Sequence, residues 1–114
     1  MEQYTVEFEI TVCGRGGHGS TPHLSVNPLD GFLAIHEALT QYRGTDPMLP
    51  CVCNITGINY GTRPNVIGDS LSFRGCLRAF TAQDVDAFRA RLPQMVENLA
   101  ARWLCTAHVQ EVTK

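Results

Sequence analysis

Three features of the sequence predict an α+β fold of order β-α-β-β-α-β, the split βαβ or ferredoxin-like pattern. Four short segments read as strands, with apolar and polar residues in alternation where one face is wet. Two longer segments carry helical periodicity behind good N-capping residues. Connections rich in glycine and proline separate them. Right-handed crossovers then favour a four-stranded antiparallel sheet in the order 4-1-3-2, with both helices on one face. At 114 residues the chain is expected to form a single domain, 1–114, around one two-layer core.

"YTVEFEITVC" opens the pattern. Tyr4, Val6, Phe8, Ile10 and Val12 point one way and Thr5, Glu7, Glu9 and Thr11 the other, a half-buried strand with a wet second face. The connection "GRGGHGSTPH" follows. Asn27 is then a natural N-cap and Pro28 suits the first turn of a helix. Along that helix Leu29, Phe32, Leu33, Ile35, His36, Ala38, Leu39 and Tyr42 sweep an apolar arc of roughly 220° at ~100° per residue. One sheet-facing stripe needs about half of that, so the excess points to a second packing partner. "PCVCNITGINY" reads as the second strand and "GTRPNVIGD" as a loop punctuated by Gly61 and Pro64. "SLSFRGCLRAF" is the third strand, with Leu71, Phe73 and Leu77 inward and Arg74, Cys76 and Arg78 on the opposite face. Thr81, three residues before Asp84, makes a capping-box variant at the start of the second helix. Val85, Phe88, Leu92, Met95, Val96 and Leu99 form its core stripe, and Pro93 should kink it. "WLCTAHVQEV" is expected to be the fourth strand. In this order the first strand starts and the fourth ends side by side, an arrangement that lets a domain be inserted into a longer chain.

Composition narrows the function. A net charge of −2 with scattered basic residues gives no stripe for nucleic acid. The apolar runs are too short to span a membrane, and no leader of signal-peptide type precedes the first strand. Five cysteines, at 13, 51, 53, 76 and 105, cannot all pair within one chain and fit buried free thiols in a reducing cytoplasm. Four histidines without metal-ligand spacing or a carboxylate cluster argue against a metal site in this segment. "GRGG" lacks the ending of a phosphate-cradling loop.

The candidate residues remain. His18 on a glycine collar is either a solvated loop histidine or a hydrogen-bond donor aimed where charge develops in a reaction. His23 lies in the loop before the first helix, Asn65 reads as an Asx-turn residue after Pro64, and Arg78 as a solvated charge on the wet face of the third strand. His18 and Asn65 belong to one end of the predicted sheet and Arg78 to the other, roughly 25 Å away at about 3.3 Å per residue. The second strand lies at a sheet edge without protecting charges.

"FEITVCGRGGHGSTPH", "NPLDGFLAIHEALTQ", "GINYGTRPNVIGDS" and "FRGCLRAF" together resemble the dimerisation (lid) domain of the zinc-dependent amidohydrolases. That family includes aminoacylases, carboxypeptidases, hippurate hydrolase and the auxin-amide hydrolases, and the hippurate-hydrolase-like and auxin-amide-hydrolase-like subgroup is nearest. Two departures are Arg15, where lysine is common, and Gly68, where the family reads N-V-I-P; Gly68 is expected to loosen the loop. The resemblance implies a domain excised from a two-domain metal-dependent enzyme that hydrolyses N-acyl amino acids or small peptides, with zinc, manganese or cobalt in the missing catalytic domain. It further implies a homodimer, which the unprotected edge of the second strand and the wide apolar arc of the first helix locate at those two elements, and an oxyanion-stabilising role for His18 in the partner's active site. Asn65, Arg78 and His23 would contact substrate. The segment alone is expected to be inactive. The competing expectation is a stand-alone ferredoxin-like ligand-binding or regulatory module.

Overall fold

The computed structural model describes residues 4–18, 23, 25–44, 48, 51–61 and 66–112, with the backbone alone for His18 and Val66. The elements run β1 (Tyr4–Cys13), β2 (Gly17–His18), α1 (Pro28–Thr40), β3 (Val52–Tyr60), β4 (Val66–Ile67), β5 (Ser70–Ala79), α2 (Ala82–Ala101) and β6 (Thr106–Glu111). Four of the strands form one antiparallel sheet in the order β3-β5-β1-β6, which is the predicted 4-1-3-2 order read from its other edge. β2 and β4, the two strands absent from the sequence reading, pair with each other and stand apart from that sheet.

Alternation decides the layers. Val6, Phe8, Ile10 and Val12 of β1 and Leu71, Phe73, Leu77 and Ala79 of β5 are buried beneath the helices. Glu9, Arg74 and their neighbours occupy the open face, where Arg74 Nε meets Glu9 Oε2 at 3.1 Å. Phe32 packs edge-on against Phe73 at 4.9 Å between ring centroids, and Phe8 meets Phe88 at 5.6 Å. These contacts clamp both helices to the sheet through aromatic side chains, the largest single contributors to apolar burial.

Both predicted caps form. The Asn27 side chain accepts from the Leu29 N–H at 3.0 Å, and Thr81 Oγ1 accepts from the Asp84 N–H at 3.1 Å. α2 continues on both sides of Pro93, which lies exposed. The fourth strand starts later than expected, at Thr106, because α2 closes on itself first. The Leu104 N–H bonds to the Ala101 carbonyl at 3.1 Å and the Cys105 N–H to the Ala100 carbonyl at 3.0 Å. Leu104 takes the left-handed conformation (φ 61°) that this reversed closure demands, a position where glycine is usual. Trp103 and Leu104 are thereby left outside the core, 52% and 81% exposed.

β3 is an edge strand, as the strand order required. Its register shifts between Thr56 and Asn59, and Gly57 supplies the positive φ of 61° at that irregularity. Leu33 on α1 is 54% exposed, so part of the over-wide apolar arc does face outward.

Candidate functional site

The glycine connection is held by its backbone. The Gly14 N–H donates to the Asp69 carbonyl at 2.8 Å, and the Gly16 N–H donates to Asp69 Oδ1 at 2.8 Å. Arg15 and Val26 exchange two backbone hydrogen bonds, at 2.7 and 2.8 Å. Beyond them β2 pairs with β4, with Gly17 opposite Ile67 and His18 opposite Val66. The glycines answer to crowding. A Cβ on Gly16 would sit 2.5 Å from the Ile67 carbonyl oxygen and 2.7 Å from Asp69 Oδ1, and one on Gly14 would collide with the Val26 carbonyl oxygen. The backbone approaches closely here, which only glycine permits.

Tyr60 closes the other side. Its hydroxyl donates to Asn27 Oδ1 at 2.6 Å and accepts from the Gly68 N–H at 3.3 Å. The tyrosine ring also covers Gly68, where an added Cβ would lie 3.1 Å from Cε1. Gly68 therefore does not loosen its loop. It gives a donor that proline could not supply, and the loop is pinned to the cap of α1.

The four expected site residues are placed separately. His18 lies on β2, its backbone beside β4. Asn65, next in sequence to Val66, lies outside the described residues. Arg78 is exposed on β5 between Thr5 and Val52, eight residues along that strand from Ser70, where the loop end begins. His23 is exposed in the connection before α1. The fold thus gathers the His18 backbone with β4 at one end and leaves Arg78 at the other, about 25 Å away at about 3.3 Å per residue. No local motif marks Asp69 and Tyr60, which set the loop end. Gly16 and Asp69 are 53 residues apart, and no local spacing announces such a bond.

The thiols are arranged for packing. Burial pushes the Cys53 thiol up to about 12, helped by neighbouring Cys76. Burial likewise raises Cys51, with the Asp84 carboxylate adding to the effect, and burial raises Cys105. Such groups stay protonated and are poor nucleophiles or metal ligands. Among the described residues, no group of three or more His, Cys, Asp or Glu side chains could hold a metal ion, and no helix is long and apolar enough to cross a membrane.

Similar proteins fit this architecture. Thermostable carboxypeptidase 2 of Saccharolobus solfataricus is 31% identical over 107 residues, covering 90% of this chain and 27% of that protein. IAA-amino acid hydrolase ILR1-like 2 of Arabidopsis thaliana is 34% identical over 104 residues, covering 90% of this chain and 23% of that protein. This chain thus spans about a quarter of the length of these relatives. Among solved structures, an aminobenzoyl-glutamate utilization protein from Klebsiella pneumoniae superposes with a TM-score of 0.83 at 17% identity, over 96% of this chain and 28% of that one. A dinuclear metal-binding peptidase of the M20 family from Bacillus subtilis gives 0.73 at 22% identity, over 96% and 25%. These two show a shared fold. Residues 2–104 match the family described as the peptidase dimerisation domain, and with that match over nearly its whole length the chain belongs to this family.

Proposed function

We propose that this chain is the dimerisation and substrate-capping domain of a metal-dependent amidohydrolase or peptidase that cleaves the amide bond of N-acyl amino acids or small peptides. The observation that carries the reading is the separation of the two sheet ends. The β2–β4 pair sets the His18 backbone at one end, while Arg78 stands on the far end of β5. One copy of the domain would not bring both residues to a small substrate. Two copies related by a twofold axis would, with Arg78 of one chain gripping the substrate carboxylate and His18 and Asn65 of the other reaching the scissile carbonyl. His23, exposed in the connection before α1, would be a further substrate contact.

The edge strand and α1 supply the dimer surface in this reading. β3 is unpaired on its outer side within one chain, and Val52 and Ile58 on it and Leu33 on α1 are all about half exposed. The metal of such an enzyme (zinc, manganese or cobalt) does not fit the described residues, and the reading places it in a flanking catalytic domain of a longer parent protein. Five free thiols support a cytoplasmic setting.

His18 acts here as a donor to the developing oxyanion, an interaction worth ~2.7–4 kcal/mol in the barrier when such a donor is removed. In the parent enzyme His18→Ala should lower kcat about a hundredfold with metal content unchanged. Mixing His18→Ala subunits with subunits inactivated at a catalytic-domain metal ligand should restore part of the activity, because each mixed dimer keeps one sound site. Verified subunit exchange with no recovery would refute action in trans. Arg78→Ala should cost about 2–4 kcal/mol in transition-state binding for substrates with a free carboxylate and spare their amides.

A further inference from the structure

The two helices leave a groove on the side away from the sheet, about 590 Å³ in volume. Its floor is apolar: Ala38 of α1 with Met95 and Leu99 of α2. Met95 and Leu99 belong to the stripe expected in the core, yet they are only half-buried, at the rim of that core. Arg91 and Arg102 stand at its two ends, both exposed. They are eleven residues apart, about three helical turns, with Arg102 at the helical C-cap just past α2, so they lie on one side and about 16 Å from each other along the axis. Neither arginine has an ion pair among the described residues, and the groove has no described carboxylate in its lining. Gln94 and Asn98, bonded to each other at 2.9 Å, complete a neutral wall between the two charges.

We propose that this groove docks an amphipathic helix from another protein, one carrying an apolar stripe flanked by two carboxylates about three turns apart. The proposal is independent of the catalytic reading, because the groove lies on the helical side of the domain and uses none of the residues of the candidate site. Charge complementarity identifies the occupant. Two guanidinium groups in line, without an ion pair among the described residues and with apolar floor between them, match a helix that presents acidic residues at the same interval. The groove is open along its length, which suits a helix laid into it. A small amphiphile would need an enclosing pocket that buries most of its surface.

The test uses the 114-residue chain and two labelled helical peptides that share a leucine stripe. One carries two glutamates three turns apart and the other lysines at the same places. Fluorescence anisotropy should show the glutamate peptide binding about tenfold more tightly at low salt. The Arg91→Glu/Arg102→Glu double variant alters exposed positions only, with folding checked by circular dichroism, and should reverse that preference. Equal binding of the two peptides, no binding of either, or binding unchanged in the folded double variant overturns the proposal. Displacement of the peptide by micromolar dodecanoate or anionic vesicles would assign the groove to an amphiphile and also overturn it. So would concentration-dependent self-association of the chain that the double variant abolishes, which would assign the groove to a second copy.

Discussion

The two ends of the four-stranded sheet are built by different means. At the loop end, backbone amides and a tyrosine hydroxyl lock four segments together: Gly14 and Gly16 to Asp69, Arg15 to Val26, β2 to β4, and Gly68 through Tyr60 to Asn27. At the opposite end Arg78 is placed by strand register alone, an exposed side chain between Thr5 and Val52. The contrast separates two ways of positioning a functional group. A residue on a connection needs the connection itself to be braced, whereas a residue on a strand inherits its position from the sheet. Substitutions at the residues that brace the loop end should therefore damage the fold, and under the proposed reading those at Arg78 should damage function alone.

Gly14→Ala should have the largest effect at the loop end. The new methyl group collides with a backbone carbonyl that cannot step aside, and the cost should be about 3 kcal/mol in a urea melt. A loss below about 1 kcal/mol would mean that the connection gives way, and the two ends would then differ less than the hydrogen bonds imply. Tyr60→Phe comes next. It keeps the ring over Gly68 and removes the hydroxyl from two partly buried bonds, for an expected loss of about 1.5 kcal/mol. Leu104→Gly should change stability in the other direction. The left-handed backbone at this position costs a non-glycine residue about 1 kcal/mol, so glycine there should raise the melting midpoint modestly. Arg78→Ala should shift stability by less than about 0.5 kcal/mol, since the side chain is exposed. A larger loss at Arg78 would show a structural role and weaken its assignment to substrate.

Much of this fold was legible because period and punctuation agreed. The alternation in β1 and β5 and the Asn27 and Thr81 caps pointed to the same topology, which in turn put the second predicted strand at the sheet edge. The end of α2 was less legible, since "RWLC" has neither glycine nor proline to mark the stop. Leu104 adopts the conformation that the stop requires despite its side chain. Met95 and Leu99 show a related limit: helical periodicity finds an apolar stripe, and the neighbouring elements decide how wide a stripe they cover. At the candidate site the sequence marked His18 by its glycine collar. The residues that brace that collar were hidden, because Asp69 and Tyr60 act through bonds that span most of a strand-turn-strand unit or more.

The Tyr60 hydroxyl has a mechanical consequence. It ties the loop bearing β4 to the first turn of α1 through one shared acceptor, Asn27 Oδ1, and β4 is in turn zipped to β2. The β2–β4 pair and the beginning of the helix are therefore joined by a continuous set of hydrogen bonds. A displacement of the pair should tilt the start of α1 with it. Because α1 packs beside the edge strand β3, that tilt is transmitted to the flank of the sheet, and strain applied at either place is felt at the other.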